Sequence, residues 1–373
     1  MLFSKVLKLI LKFRHYIQKY YFCTVEIHEK YLRRCIELAK NGLGTTYPNP
    51  LVGSIIVYNN KIIGEGWHKK AGEPHAEVNA VNSVKDKSLL EKATIYVSLE
   101  PCSHFGKTPP CCDLIIQNKI PNVVIGTVDP NEKVAGKGIK KLIEAGIKVT
   151  VGVLENECNE LNQRFFTFHN KKRPYIILKW AESKDSFIAP NTALRNEKKP
   201  VWITNPYSRQ LVHKWRSEEQ AILVGTQTVI DDNPKLDVRD WTGNHPVRVI
   251  LDQNNRIPKT NHIFDNQTKT IIICGKTTET GSKNTIFESI DFEQNIASQI
   301  TKLLYKHQIQ SVIIEGGSQI LQTFIDANLW DEARVFIGNS VLGDGVKAPI
   351  MTQKQFKKHW IDQDELIISR NHD

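Results

Sequence analysis

Residues 93–130 read ATIYVSLEPCSHFGKTPPCCDLIIQNKIPNVVIGTVDP. The run Thr94–Leu99 is β-branched and aromatic, as a buried strand requires. A polar loop follows, and Pro109 and Pro110 then open a helix, because a fixed φ and a missing N–H cost nothing in a first turn. Asn122–Val128 is a second apolar strand. Strand, loop, helix and strand in this order imply parallel neighbours with a crossover helix, hence an α/β layered domain. The loop has a chemical peculiarity as well. Glu100–Cys112 concentrates three of the chain's seven cysteines among three prolines and a glycine.

Outward from this unit the pattern continues. Tyr31, Leu32, Cys35, Leu38 and Ala39 form one face of a helix from His28, with Gly42 as its stop. LVGSIIVYNNKIIGEG reads as two strands turning at Asn59 and Asn60. PHAEVNAVNSV reads as a helix, GKGIKKLIEAG as another, and IKVTVGVL as a last strand. The basic stretch FHNKKRP, Phe168–Pro174, is read as the domain boundary. Beyond it, strands are expected at YIILKW, AILVG, PVRVILD, TIIIC and SVIIEGG, and helices at PYSRQLVHKWRS and GSQILQTFIDAN. The expected domains are 27–170 and 174–373.

The formal charge is +10, from 50 basic and 40 acidic residues. Its distribution argues against a nucleic-acid surface. The first 24 residues carry Lys5, Lys8, Lys12, Arg14 and Lys19 with no acid, so half of the excess lies in one short stretch. Lysines break the apolar run and no small-residue cleavage site follows, which argues against secretion; residues 1–26 are read as a basic apolar extension upstream of the true start, because the regular pattern begins at about Ile27. No stable membrane association is expected. Seven unevenly placed cysteines do not form a secreted disulfide framework, which favours a reducing, cytoplasmic setting.

His75, Cys102 and Cys111 form the candidate metal set. A catalytic zinc takes three imidazole and thiolate ligands and keeps a fourth position for water. His75 and Cys111 both fall at expected helix N-termini, where the helix dipole favours a thiolate. Cys112 is the alternative to Cys111. One helical position rotates a side chain by about 100°, so at most one of the two faces the metal. Glu77, two residues after the histidine, is placed to carry protons. His104 is the one nearby candidate for a fourth ligand that would close a purely structural site, and is read instead as lining the pocket.

His-x-Glu followed by Pro-Cys and a further Cys resembles the zinc-dependent nucleobase deaminases. Eight residues separate Cys102 from Cys111 here. That longer loop, with YPNPLVG, GEGWHKKAGEPHAE and DPNEKVAGKGI, resembles the deaminase half of the bifunctional riboflavin-biosynthesis deaminase/reductases. The resemblance runs from about Ile27 onward. It implies hydrolytic deamination of a diaminopyrimidinone bearing a phosphoribosylamino group, with Asn49, His68, His104 and Lys107 as substrate contacts.

The second half lacks G-x-G-x-x-G. Its signal is VIIEGGSQILQ, a strand running through Gly316 and Gly317 into a helix, where a backbone can approach a pyrophosphate. With KWAESKDSFIA and VWITNPYSRQLVHKWRSEEQAILVGTQTVIDDNPKLDVR it resembles the reductase half of the same family. The resemblance implies two domains, an N-terminal cytidine-deaminase-like α/β/α domain and a C-terminal dihydrofolate-reductase-like α/β domain. It implies Zn2+ and NADPH as cofactors and a homo-oligomer. Around NADPH it places Ala181, Trp202, Thr228, Asp232, Gly317, Ser318, Gln319, Ile320, Leu321, Gln322 and Thr323. Around the substrate it places Arg216, Leu236, Arg239 and Glu315, the two arginines suiting a phosphate ester.

The chain departs from this pattern at Asp185-Ser186-Phe187, where relatives read Asp-Gly-Lys or Asp-Gly-Arg, so a basic group expected near hydride transfer is missing. Pro200 stands where some relatives carry a polar substrate contact. Three rivals are a nucleic-acid base deaminase, which needs a basic aromatic groove; a zinc-stabilised binding module, which has no use for Glu77; and a deaminase whose second half only holds substrate.

Overall fold

Six stretches, residues 26–105, 109–130, 135–191, 201–277, 281–352 and 355–371, are described by the computed structural model. The extension 1–25, Lys107 and Pro200 lie outside the described residues. The chain divides into two compact units after Phe166.

In the first unit, helix α1 (26–40) precedes the antiparallel hairpin β1 (Gly53–Tyr58) and β2 (Lys61–Trp67). The hairpin turns at Asn59 and Asn60, both at positive φ (49° and 59°), as expected for asparagine. Next come α2 (Ala76–Ser83), β3 (Thr94–Leu99), α3 (Cys111–Gln117), β4 (Asn122–Thr127), α4 (Lys137–Glu144) and β5 (Lys148–Val151). The sheet order is β2-β1-β3-β4-β5, with β3, β4 and β5 parallel. Helices α5 (Glu155–Leu161) and α6 (Gln163–Lys171) were not anticipated from sequence, and the stretch from Phe168 read as a linker begins inside α6.

Successive strand residues enter opposite cores. Ile56, Ile95 and Ile125 pack with Val81, Ile115 and Leu142 from α2, α3 and α4. Their neighbours Ile55, Tyr96 and Val124 pack with Leu32 and Cys35 of α1 and Cys158 of α5. Period-two alternation with both faces covered makes this unit a three-layer α/β/α sandwich.

Gly66 sets how closely α2 lies on β2. A Cβ there would stand 2.4 Å from Ala80 N and 2.7 Å from Ala76 O, both backbone atoms. Gly66→Ala is therefore expected to lower stability by about 1–3 kcal/mol, and to cut deamination with it because α2 carries His75 and Glu77. Denaturant unfolding measures the first effect and ammonia release the second.

The second unit begins with β6 (Tyr175–Glu182), β7 (Phe187–Pro190), α7 (Pro206–Glu218), β8 (Ala221–Gly225) and α8 (Thr226–Asp232). It continues through β9 (Val247–Leu251), β10 (Thr270–Cys274), β11 (Thr285–Ser289), α9 (Ile296–Lys306), β12 (Ser311–Glu315) and α10 (Ser318–Asp326). It ends with β13 (Glu332–Ile337), β14 (Gly345–Lys347), β15 (Phe356–Ile361) and β16 (Asp364–Arg370). The main sheet runs β11-β10-β9-β8-β12-β6-β13-β16-β15. From β11 to β13 it is parallel, and β16 and β15 add an antiparallel edge. Strand β12 returns late in the chain to insert between β8 and β6, which opens a crevice at the carboxyl ends of β8 and β12.

A candidate metal centre and a candidate reductive cleft

The expected metal set comes together where β3 ends. The ligand atoms of His75, Cys102 and Cys111 all lie within 4.8 Å of one another. His75 Nδ1 is 3.3 Å from Cys111 Sγ and 3.5 Å from Cys102 Sγ. A tetrahedral zinc with bonds of about 2.3 Å to sulfur and about 2.0 Å to nitrogen spaces such donors roughly 3.5 Å apart, so these three residues fit the ion.

Each ligand has a local cause for its position. His75 is the N-cap residue of α2, in extended conformation, and Asn79 one turn on donates to Trp67 O (2.8 Å) and Pro74 O (3.2 Å), which pins the helix start to the end of β2. Cys111 is the first residue of α3 after Pro110, and its N–H points at Cys102 Sγ (3.3 Å). A hydrogen bond from Cys111 pulls the Cys102 thiol well down, to about 4, while the same bond and burial push Cys111 up. The hydrogen bond to Cys102 raises His75. Cys112 turns away, donating to Pro101 O (3.3 Å), and burial pushes its thiol up to about 12, so Cys111 and not Cys112 faces the metal set.

Glu77 is 3% exposed, and burial raises its carboxyl to about 7, with Cys102 adding to the shift. It lies beside the ligands and outside the metal set. Asn49 and His68 form a second arc. His68 Nδ1 donates to Pro74 O (3.2 Å), which leaves Nε2 as the acceptor for Asn49 Nδ2 (3.0 Å), and its ring stands edge-on to His75 at 5.4 Å. Burial lowers the His68 pKa, so the ring is neutral and its tautomer fixed. His104 is exposed and is not part of the metal group.

In the second unit, Glu315 at the end of β12 takes a bidentate pair from Arg216 of α7, Nη2 at 2.6 Å and Nε at 3.0 Å. Arg216 Nη1 also donates to Asp237 O (3.3 Å). Lys179, the register partner of Glu315 on β6, brings its ammonium to 3.9 Å. Sequence reading passed over Lys179, although it opens the quoted KWAES. Against the upward pull of burial, Arg216 and Lys179 hold Glu315 down at about 2. The Arg239 guanidinium is 43% exposed beside Asp237, and Arg239 N donates to Nδ1 of buried His213 (3.2 Å). Leu236 is buried at φ 53° in the same loop.

Of the cofactor candidates, Thr228 on α8 and the Gly317–Thr323 segment follow directly on the carboxyl ends of β8 and β12. Gly316 and Gly317 have φ of 103° and 76°, and a Cβ on Gly316 would stand 3.3 Å from Thr228 Oγ1 on α8. Gly317 caps α10 without a side-chain bond, so the Ser318–Thr323 turns begin with free backbone donors, the chemistry a pyrophosphate needs. Ala181 pairs in register with Phe336, Asp232 ends α8, and Trp202 is exposed under Arg209 (5.0 Å). At the departure from the family pattern, Ser186 takes φ 62°, the left-handed region that favours glycine. Phe187 is buried, and Lys347 from β14 holds its ammonium 3.6 Å from the ring centroid. The basic group missing at position 187 thus has a cationic neighbour from another strand.

A metal-binding deaminase unit and a reductase-type parallel sheet in one chain define a bifunctional deaminase/reductase. Family models agree unit by unit: the cytidine and deoxycytidylate deaminase zinc-binding region matches residues 25–127, and the RibD C-terminal domain matches residues 174–367. The riboflavin biosynthesis protein RibD of Aquifex aeolicus is 41% identical over 86% of this chain and 89% of its own length. That of Escherichia coli is 35% identical over 86% and 89%. The crystal structure of a diaminohydroxyphosphoribosylaminopyrimidine deaminase/5-amino-6-(5-phosphoribosylamino)uracil reductase from Thermotoga maritima aligns with TM-score 0.84 at 36% identity, covering 93% of this chain and 99% of that one. Acinetobacter baumannii RibD aligns with TM-score 0.83 at 34% identity, covering 92% and 98%. The chain belongs to the RibD family, the bifunctional deaminase/reductases of riboflavin biosynthesis, whose cofactors are Zn2+ and NADPH.

Proposed function

We propose that a first domain spanning residues 27–170 replaces the 2-amino group of a diaminopyrimidinone phosphoribosylamine by oxygen, and that a second, spanning 174–373, reduces the ribose of the product to a ribityl chain. The observation that carries the first half is the His75, Cys102 and Cys111 triad with buried Glu77 beside it. When bound, zinc makes a water acidic enough to attack at neutral pH. Glu77 takes a proton from the attacking water and delivers protons to the ring nitrogen and the departing ammonia. Asn49 and neutral His68 orient the pyrimidine, and His104 and Lys107 come from the ligand loop to meet its polar groups.

When bound, NADPH supplies the hydride. The Gly317–Thr323 segment with Thr228 holds its pyrophosphate side, and Ala181, Trp202 and Asp232 border the rest. Arg216 is committed to Glu315 and Asp237, so Arg239 is the arginine available to the substrate phosphate. Ionised Glu315 accepts hydrogen bonds from the sugar, with Leu236 as an apolar wall. Support for a homo-oligomer comes from edge strand β15, where Phe356 and Trp360 are exposed. Among the described residues no helix is long and apolar enough to cross a membrane, and the free cysteines fit a cytoplasmic enzyme.

Chelation separates the two halves. Protein stripped of zinc is expected to lose ammonia release and still oxidise NADPH when given the deaminated intermediate; deamination that survives complete metal removal contradicts the assignment.

A further inference from the structure

We propose that Glu100 is the positioning residue of the metal centre: its carboxylate clamps the segment carrying Cys102 to the start of α4 and so fixes where that sulfur stands. Glu100 is 5% exposed and immediately precedes Pro101-Cys102. Its carboxylate takes four backbone donors. Oε1 accepts from Gly138 N (2.9 Å) and Ile139 N (3.3 Å), and Oε2 from Gly136 N (3.0 Å) and Asp129 N (3.3 Å). Gly136, the N-cap of α4, is left-handed and has no side chain with which to cap the helix. Glu100 therefore performs from 36 residues away the capping that an Asp or Ser would perform locally.

The clamp acts on the ligand because α4 and α3 converge on the Pro101 carbonyl that precedes it. A Cβ on Gly138 would stand 2.1 Å from Pro101 O, so α4 rests directly against that carbonyl. The Cys112 thiol donates to the same carbonyl from α3 (3.3 Å), and Cys112 N donates to Cys102 O (3.1 Å). The place of Cys112 beside two ligands is thereby explained without metal contact. The carboxylate also gathers Asp129 and Gly136, so the chain just after β4, the start of α4 and the Cys102 segment are held by one group. A Gln at position 100 keeps the shape but turns an NH2 toward two of the four N–H donors, orphaning them.

This inference rests on the zinc reading of His75, Cys102 and Cys111, and its test separates the two. Glu100→Gln and wild type are loaded with zinc and challenged with a chelator, loaded with cobalt(II) for ligand-field spectra, and assayed for deamination and for reduction of the deaminated intermediate. Expected are about 10–100-fold weaker zinc retention, an altered cobalt spectrum and a fall in deaminase kcat larger than any change in KM, with reduction within twofold of wild type. Zinc retention and a cobalt spectrum equal to wild type overturn the clamp. Wild-type protein that takes up no zinc overturns the metal centre itself. Should Glu100→Gln not fold, Gly138→Ala keeps the carboxylate's charge but presses on Pro101 O (2.1 Å) and on Glu100 Oε1 (3.1 Å); it is expected to weaken zinc retention likewise, and wild-type retention in it overturns the clamp.

Discussion

Glu77→Gln is expected to lower ammonia release by about 10²–10⁴-fold while zinc content stays at the wild-type level. The substitution preserves volume in a side chain that is only 3% exposed, so α2 has no reason to move. The three ligand atoms cluster without the carboxylate, so the ion keeps its donors. What is lost is a group that can both take and return a proton. An amide does neither, and at this depth bulk water does not reach in to substitute. The measurement is single-turnover ammonia release beside metal analysis of the same preparation. A variant that deaminates within tenfold of wild type contradicts the role given to Glu77, and one that loses its zinc shows the carboxylate to be structural.

Glu315→Ala is the second large effect, in the other unit. Removing this carboxylate strands Arg216 and Lys179 as buried cations facing a cavity. Breaking a buried pair by deleting one partner costs about 3–5 kcal/mol, and loss of a charge-assisted substrate contact costs about 10–100-fold in reductase kcat/KM. Arg216→Met should cost less stability, because Glu315 keeps Lys179. The pH dependence has a definite sign. The folded-state pKa of Glu315, about 2, lies below the unfolded value of about 4.3, so its contribution is complete above pH ~4.3 and disappears as pH falls toward 2. Urea unfolding of wild type and Glu315→Gln from pH 6 to pH 2 checks this: the stability difference should shrink with acid, and a difference that grows would contradict the assignment.

The metal centre was legible because its residues announce themselves by type and spacing: His75 after Pro74, cysteines around a proline-rich loop, and Glu77 on the same helix. The sequence left Cys111 and Cys112 as alternatives, and the structure separates them through a carbonyl, Pro101 O, that no residue pattern reveals. Glu100 stood in the quoted loop, yet its four donors lie 29–39 residues downstream and belong to the backbone, which sequence does not mark. In the second unit the parallel strands β6, β8, β9, β10 and β12 read as apolar runs, whereas β11 and β13, interrupted by polar and charged residues, did not. Strand β15, FKKHWI, did not, because an edge strand exposed on both faces has no alternation to show. Helix α9 was readable and was missed: Asn295 caps it through Ser298 N (2.8 Å), and Ala297, Ile300 and Leu304 follow at helical spacing. Lys179 looks like any strand lysine until the sheet order places β6 beside β12 and so beside Glu315.

Two chemistries in one chain act in sequence. The direct test follows ammonia and NADPH together after the purified, zinc-loaded chain meets the diaminopyrimidinone phosphoribosylamine. The expected result is ammonia release first, then NADPH oxidation approaching one equivalent per ammonia. NADPH consumption without prior ammonia, or no ammonia from zinc-replete protein, would contradict it.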